Sequence, residues 1–261
     1  TYMTDDTGLV SSLEITSFQV MTNREFDSEH NIVNQMILNY DTPSKDILLD
    51  VQEIRNIGYH SSGTALKQIT LTYTDIDKNN LLDAKITINS DIRVNGDVGK
   101  VTVTKYLETV EGFDSTKDIS EDDFINQVDR QVVINKIFDL RGNSLEQEIY
   151  KEYFDTDLGV FVFNEAQEIS HGTYDFHDRS KYSTILNYKD KNKTEFVDRQ
   201  DISYVEYDRY GNAIEQTIDT YLTKDSDPSE LLDHKRIVNE YIDPNTGMIN
   251  VVAARRGNAT L

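Results

Sequence analysis

The sequence predicts an all-β protein, a repeat-built antiparallel β-meander of about a dozen or more strands. Apolar and polar residues alternate with period two over most of the chain, for example in residues 84–88, 101–104 and 202–205. Helical periodicity is nearly absent, and similar residue patterns recur along the chain. We therefore expect an elongated or spiralling sheet, like that of a β-solenoid, with one apolar face.

Internal repeats show how the strands are organised. Residues 129–149 align without gaps with residues 198–218, and a third copy begins near the N-terminus. The matched positions are aromatic residues, the Asp that follows each of them, and Gly-Asn pairs: Phe26, Asp27, Phe138, Asp139, Gly142, Asn143, Tyr207, Asp208, Gly211 and Asn212. We interpret these residues as structural corners between strands.

The apolar residue before each predicted corner measures the repeat. These residues are Phe26, Tyr59, Ile92, Phe138, Tyr174, Tyr207 and Tyr241. Their spacings are 33, 33, 46, 36, 33 and 34 residues, which corresponds to two strands and two turns per unit. Such a unit is too small to bury a core alone, so neighbouring units must share one.

Four segments follow from this spacing, in chain order. Residues 1–12 are an N-terminal arm and residues 13–110 are a β-repeat segment. The one long interval contains an acidic insertion or seam at 111–125, and a second β-repeat segment occupies 126–261. At most one short helix is expected, near 120–129, where Ser120 and Asp123 have the spacing of a capping box.

The predicted corner has a stereochemical basis. In residues 138–143 an aromatic residue ends a strand, and Asp139 can accept a backbone N–H two residues further on. Gly142 supplies the positive φ that a tight reversal needs, and Asn143 can bond back across the turn. The Asp and Asn side chains are therefore interpreted as structural rather than catalytic.

The corners at 138–143 and 207–212 resemble the Tyr-Asp-x-x-Gly-Asn corner of RHS/YD-repeat proteins. That resemblance implies a large prokaryotic surface or secreted protein, of a type with animal relatives, whose long antiparallel sheet spirals into a shell. The chain departs from the pattern at residues 26–27, where the Gly is missing, and at residues 40–41, which are followed by Thr-Pro. The family's usual Gly-Arg continuation and its autoproteolytic core are not seen in the sequence.

Composition excludes several classes of protein. The chain has 47 acidic and 26 basic residues, a formal charge of −21, which argues against binding to nucleic acid or to anionic lipid. Without cysteine there is no disulfide and no thiolate chemistry, and no apolar run is long enough for a transmembrane segment. Acidity and abundant Asn, Thr and Tyr favour a prokaryotic extracellular or cell-surface location over the alternative, an acidic cytoplasmic protein.

The sequence predicts no enzyme and no required cofactor. It lacks a Gly-x-Ser-x-Gly elbow, a phosphate loop and a dinucleotide fingerprint. The metal candidate is a calcium site, since Asp75, Asp77, Asn79 and Asp83 have the spacing of oxygen ligands in a calcium loop. The positions for the usual Gly and bidentate Glu carry other residues, which excludes a complete EF-hand and leaves a looser Ca²⁺ site.

These observations predict a structural or interaction protein, a component of a filament, sheath or surface layer. Its edge strands are expected to pair with identical or similar β-repeat subunits. A segment of an RHS-like secreted toxin shell or adhesin is the alternative. A carbohydrate-binding or carbohydrate-active β protein is a third interpretation, because strand tyrosines can stack on sugars.

Overall fold

The fold was analysed in a computed structural model, which describes residues 2–3, 14–15, 18–41, 43–208, 211–241 and 248, with side chains from residue 18 onward. Thirteen antiparallel strands form one sheet in strict chain order. They are β3 (Phe18–Phe26), β4 (Ile32–Tyr40), β5 (Leu48–Tyr59), β6 (Ala65–Tyr73), β7 (Leu81–Ile92), β8 (Val98–Thr109), β9 (Phe124–Phe138), β10 (Ser144–Asp155), β11 (Val160–His171), β12 (Tyr182–Tyr188), β13 (Phe196–Tyr207), β14 (Ala213–Tyr221) and β15 (Leu231–Val238). Two short strands, β1 (Tyr2–Met3) and β2 (Glu14–Ile15), pair with each other. The predicted all-β antiparallel meander is confirmed.

One face of the sheet, called here the core face, carries the main apolar cluster. The registers of β6 to β8 place Leu71, Ala84 and Tyr106 side by side on this face, and all three are fully buried. Val51 of β5 lies opposite Tyr73 on the same face and is also fully buried. Ile69 occupies the next position along β6 and is equally buried. Because side chains alternate between faces, the period-two pattern of these strands places the apolar set on one side.

The loop between β8 and β9 covers this cluster. Ile119 and Phe124 belong to the buried cluster, Phe113 packs against it, and Tyr106 donates a hydrogen bond to Glu121 at 3.1 Å. Arg55 of β5 donates a hydrogen bond to the Ser115 carbonyl of this loop. The segment predicted as an acidic insertion or seam is this loop and the start of β9. The sheet is continuous across it, because β8 pairs with β9.

The expectation of at most one short helix near 120–129 agrees with the structure. A single 3₁₀ turn spans Glu121–Asp123, where the backbone N–H of Ser120 donates to the Asp123 carboxylate at 2.7 Å. From Phe124 onward the chain pairs with β8, so the hydrogen bonds of the sheet override the local capping signal. A second, unpredicted 3₁₀ turn spans Pro228–Glu230.

Successive hairpins of a meander lie at opposite ends of the strands. We call the end with the turns β3–β4, β5–β6, β7–β8, β9–β10, β11–β12 and β13–β14 the corner end. The opposite end, with the turns β4–β5, β6–β7, β8–β9, β10–β11, β12–β13 and β14–β15, is the distal end. The two ends use different turns and different side chains.

Candidate functional site

The six hairpins at the corner end share one five-residue turn. In each turn, the backbone N–H of the first residue donates to the carbonyl of the fifth residue at 2.8–3.0 Å. The backbone N–H of the fourth residue donates to the carbonyl of the first residue at 2.9–3.2 Å. The fourth residue has a positive φ, between 59° and 98°. The turns are residues 27–31, 60–64, 93–97, 139–143, 175–179 and 208–212.

Carboxylates hold these corners as the Asx-turn interpretation expects. Asp139 accepts the backbone N–H groups of Arg141 and Asn143 at 2.8 and 2.9 Å, and the Asn143 side chain at 3.0 Å. Asp27 and Asp208 accept the same bonds from the Asn four residues later. Burial works against ionisation of Asp139, but the hydrogen bonds from Asn143 and Arg141 lower its pKa.

The spacing of the apolar residues located every described corner, including the four whose residues depart from the motif. In one of these four, Arg93 replaces the Asp. His60 replaces the Asp and accepts the Ser62 N–H through Nδ1 at 3.2 Å, while His30 and Asp178 replace the Gly at positive φ. The seventh predicted corner, after Tyr241, lies outside the described residues. The spacing of the apolar residues along the sequence thus predicts the turns better than the identity of the turn residues does.

Replacing Asp139 with alanine should lower the free energy of unfolding, because three donors of the β9–β10 corner lose their acceptor. Urea unfolding of the full chain measures the change. The matched control is Asp225→Ala, which removes an exposed loop carboxylate. Equal stability of the two variants would contradict the role of the Asp139 carboxylate.

Three distal loops direct a lysine over the core face. The loops at 41–47, 74–80 and 189–195 are each closed by a hydrogen bond from the first N–H to the seventh carbonyl. Their fifth residues are Lys45, Lys78 and Lys193, all with φ between 59° and 64°. The Lys45 ammonium lies 5.7 Å from the centre of the Phe18 ring, whereas the other two bind carboxylates.

Lys78 ends in a buried charge cluster around Glu53. The Glu53 side chain is fully buried and accepts from Lys78 at 2.5 Å and from Arg24 and Arg55 at 2.9 Å each. Burial opposes ionisation of Glu53, but the hydrogen bond and charge of Lys78, together with the charge of Arg24, lower the pKa of this carboxyl. The carboxylate therefore stays ionised and joins β3, β5 and the β6–β7 loop.

Lys193 forms the corresponding cluster in the C-terminal half. Its ammonium binds Glu148, and it binds Glu168 at 2.7 Å. Burial disfavours the charge of Glu148, but hydrogen bonds from Lys136, Lys193 and other donors lower its pKa to about 2. Tyr188 donates to Glu168 at 2.7 Å, and burial raises its pKa to about 12. Because the pKa values of these groups lie far from neutral pH, the groups suit structural ion pairing rather than proton transfer.

Stability should fall as the pH drops from about 4.5 towards 2. The folded pKa of Glu148 lies below its ordinary value of 4.5, so this group stabilises the fold above pH 4.5 and loses that contribution as it protonates. Urea midpoints measured across this range test the effect. The Glu148→Gln variant should show a shallower decline with acidification, and an unchanged decline would contradict the assignment.

The predicted calcium residues are distributed between the β6–β7 loop and β7. The Asp75 carboxylate accepts the backbone N–H groups of Asn79 and Asn80 at 3.1 and 2.9 Å. Asp83 lies on the opposite face of β7 and pairs with Lys105 at 3.3 Å. In the described part of the chain, no three acidic or histidine side chains converge to hold a metal ion. Calcium binding by Asp75, Asp77, Asn79 and Asp83 stays a prediction.

The sequence analysis missed the lysines at the distal end, although a signal for them is present. Each follows an aromatic residue by five positions, from Tyr40 to Lys45, from Tyr73 to Lys78 and from Tyr188 to Lys193. Tyr73 also lies 14 residues after Tyr59, which extends the regular spacing to the distal loops. The buried glutamates carried no such signal, because strand charges usually face solvent.

Comparison with known proteins leaves the family open. No protein-family model matches the chain, and no curated protein matches its sequence. Among the described residues, no helix is both long and apolar enough to cross a membrane.

Proposed function

We propose that the protein is a structural component of an extracellular or cell-surface assembly, in which its β-repeats pair edge to edge with identical or similar subunits. One observation carries the proposal: the sheet grows strictly in chain order from β3 to β15. A further antiparallel strand added at either edge would repeat the geometry already present twelve times within the sheet.

The two outer strands support this proposal by their exposure. Within the described residues, β3 and β15 each pair with one neighbour only, and most of their side chains are exposed. The basic groups of both strands already have acidic partners, since Arg24 binds Glu53, Lys235 binds Asp233 and Arg236 binds Glu215. Contact between the β15 edge of one copy and the β3 edge of another would therefore rest on backbone strand pairing, a head-to-tail contact that builds open filaments.

Electron microscopy and light scattering of the purified chain, with and without calcium, test the proposal. We expect elongated assemblies that grow with concentration, and we expect Met21→Lys to shorten them, because an edge lysine opposes strand addition. The matched control is Val205→Lys, which places the same charge at an exposed position of the interior strand β13. Discrete monomers of the unaltered chain at high concentration would contradict edge pairing.

The alternative, a segment of a secreted shell or adhesin, is supported by the corner end. Its six turns of one conformation match what an RHS-like corner is expected to do, which is to reverse the chain at a regular period. The same micrographs distinguish the two functions, since hollow closed particles would favour the shell.

A further inference from the structure

A pocket at the corner end lies beside the corner at 175–179, away from the charge clusters described above. It has a volume of about 340 Å³, within the range of small-molecule sites. The turn between β11 and β12 forms one wall, and the last residues of β13 form the other. The lining groups used below are Phe176, His177, Arg179, Lys181, Tyr204 and Glu206.

One wall of the pocket is a rigid aromatic and guanidinium stack. The Tyr204 and Tyr207 rings are stacked with centroids 5.8 Å apart, and the Arg179 guanidinium lies 4.6 Å from the centre of the Tyr207 ring. Two bonds of 2.7 Å tie Arg179 to Asp175, and Tyr207 donates to the Ser180 carbonyl at 2.5 Å. This wall is ordered before any ligand arrives, which lowers the entropic cost of binding.

Phe176 projects from the turn with nothing packed over its outer face. Its side chain is 80% exposed, although the backbone beside it is fixed by the His177 N–H, which donates to Asp175 at 2.8 Å. The His177 ring meets Phe176 edge to face at 5.3 Å. An exposed aromatic ring at the rim of a pocket can stack against an apolar face of a ligand.

The polar groups that remain in the pocket balance in charge. Asp175 neutralises Arg179, which leaves Lys181 and Glu206 as one positive and one negative group. Among the described residues, neither of these two side chains forms an ion pair or a hydrogen bond. They offer donors and an acceptor to a ligand but select neither an anion nor a cation.

The geometry points to a binding site for a neutral saccharide in this pocket. A pyranose has an apolar C–H face that can stack on Phe176, and hydroxyl groups that can accept from Lys181 and donate to Glu206. The balanced pocket favours an uncharged sugar, and the overall charge of −21 repels acidic ones. This site is independent of the proposed edge pairing, because none of its residues lies on β3 or β15.

NMR titration of the ¹⁵N-labelled full chain with the methyl glycosides of glucose, galactose and N-acetylglucosamine, together with a neutral glycan array, tests the assignment. We expect amide shifts confined to residues 175–181 and 204–207 for at least one probe. Phe176→Ala should weaken binding roughly tenfold, because it removes the stacking surface. Leu140→Ala is the matched control and should leave affinity unchanged, since Leu140 is an exposed apolar residue at the same position of the preceding corner and does not line the pocket.

Three results would overturn the assignment. The first is the absence of binding to every neutral glycan. The second is equal weakening by Phe176→Ala and Leu140→Ala, which would indicate a general docking edge formed by the exposed corner tips. The third is preferential binding of methyl glucuronoside, which would show that the pocket selects an anion.

Discussion

Replacing Glu53 with alanine is expected to destabilise the protein by about 3–5 kcal/mol, one of the two largest effects of any single substitution proposed in this chain. The carboxylate is fully buried and bound to Arg24, Arg55 and Lys78. Its removal leaves three cations on the core face without their shared acceptor, and each must be hydrated or displaced. Urea unfolding followed by circular dichroism measures the change.

The control for this substitution is Glu29→Ala, which removes an exposed carboxylate from the β3–β4 corner. We expect its stability to stay close to that of the unaltered protein. Lys78→Met removes one cation and keeps much of the aliphatic chain, so it should cost less than Glu53→Ala. A loss below about 1 kcal/mol for Glu53→Ala, the value typical of a surface pair, would show that Glu53 is solvated in solution.

Tyr106→Ala is the second substitution with a large expected effect, a loss of about 3–5 kcal/mol. The Tyr106 ring is fully buried, and its centroid lies 5.6 Å from that of Phe124. Its hydroxyl also holds Glu121 of the covering loop. Truncation would open a cavity under this loop and release one of its anchors. Calorimetry should therefore show a lower Tm, and limited proteolysis should show faster cleavage at residues 110–123.

Two further variants separate the contributions of Tyr106. Tyr106→Phe keeps the ring and should cost about 1 kcal/mol, the value of one hydrogen bond. Tyr153→Ala is the matched truncation on β10, where the tyrosine is 47% exposed, and should cost much less than Tyr106→Ala. Equal effects of the two alanine variants would contradict the covered core.

Most of the fold could be predicted because it depends on local periodicity. Alternation places Leu71 and Ala84 on one face, and the regular spacing of apolar residues locates the six corners without any knowledge of the sheet. Local signals fail where long-range pairing decides. The capping residues Ser120 and Asp123 do form their bond, but pairing with β8 limits the helical turn to Glu121–Asp123 and places the next residues in a strand.

The charge clusters could not be predicted in the same way. Glu53 and Lys78 are 25 residues apart and meet because the β6–β7 loop folds over the core face. Nothing in the alternation distinguishes a glutamate that faces solvent from one that faces three cations. The pocket at Phe176 has the same origin, since its walls come from the turn after β11 and the end of β13.

The strict chain order of the sheet has a mechanical consequence. Neighbouring strands lie about 4.8 Å apart, so the thirteen strands span roughly 58 Å from β3 to β15. A load applied between these two strands, across the sheet, acts on one hydrogen-bonded ladder at a time, beginning at an edge. Each corner repeat of 33 residues that peels away lengthens the tether by roughly 110 Å. Under tension the strands would therefore detach one after another, and the molecule would lengthen in steps. Each step would dissipate mechanical work.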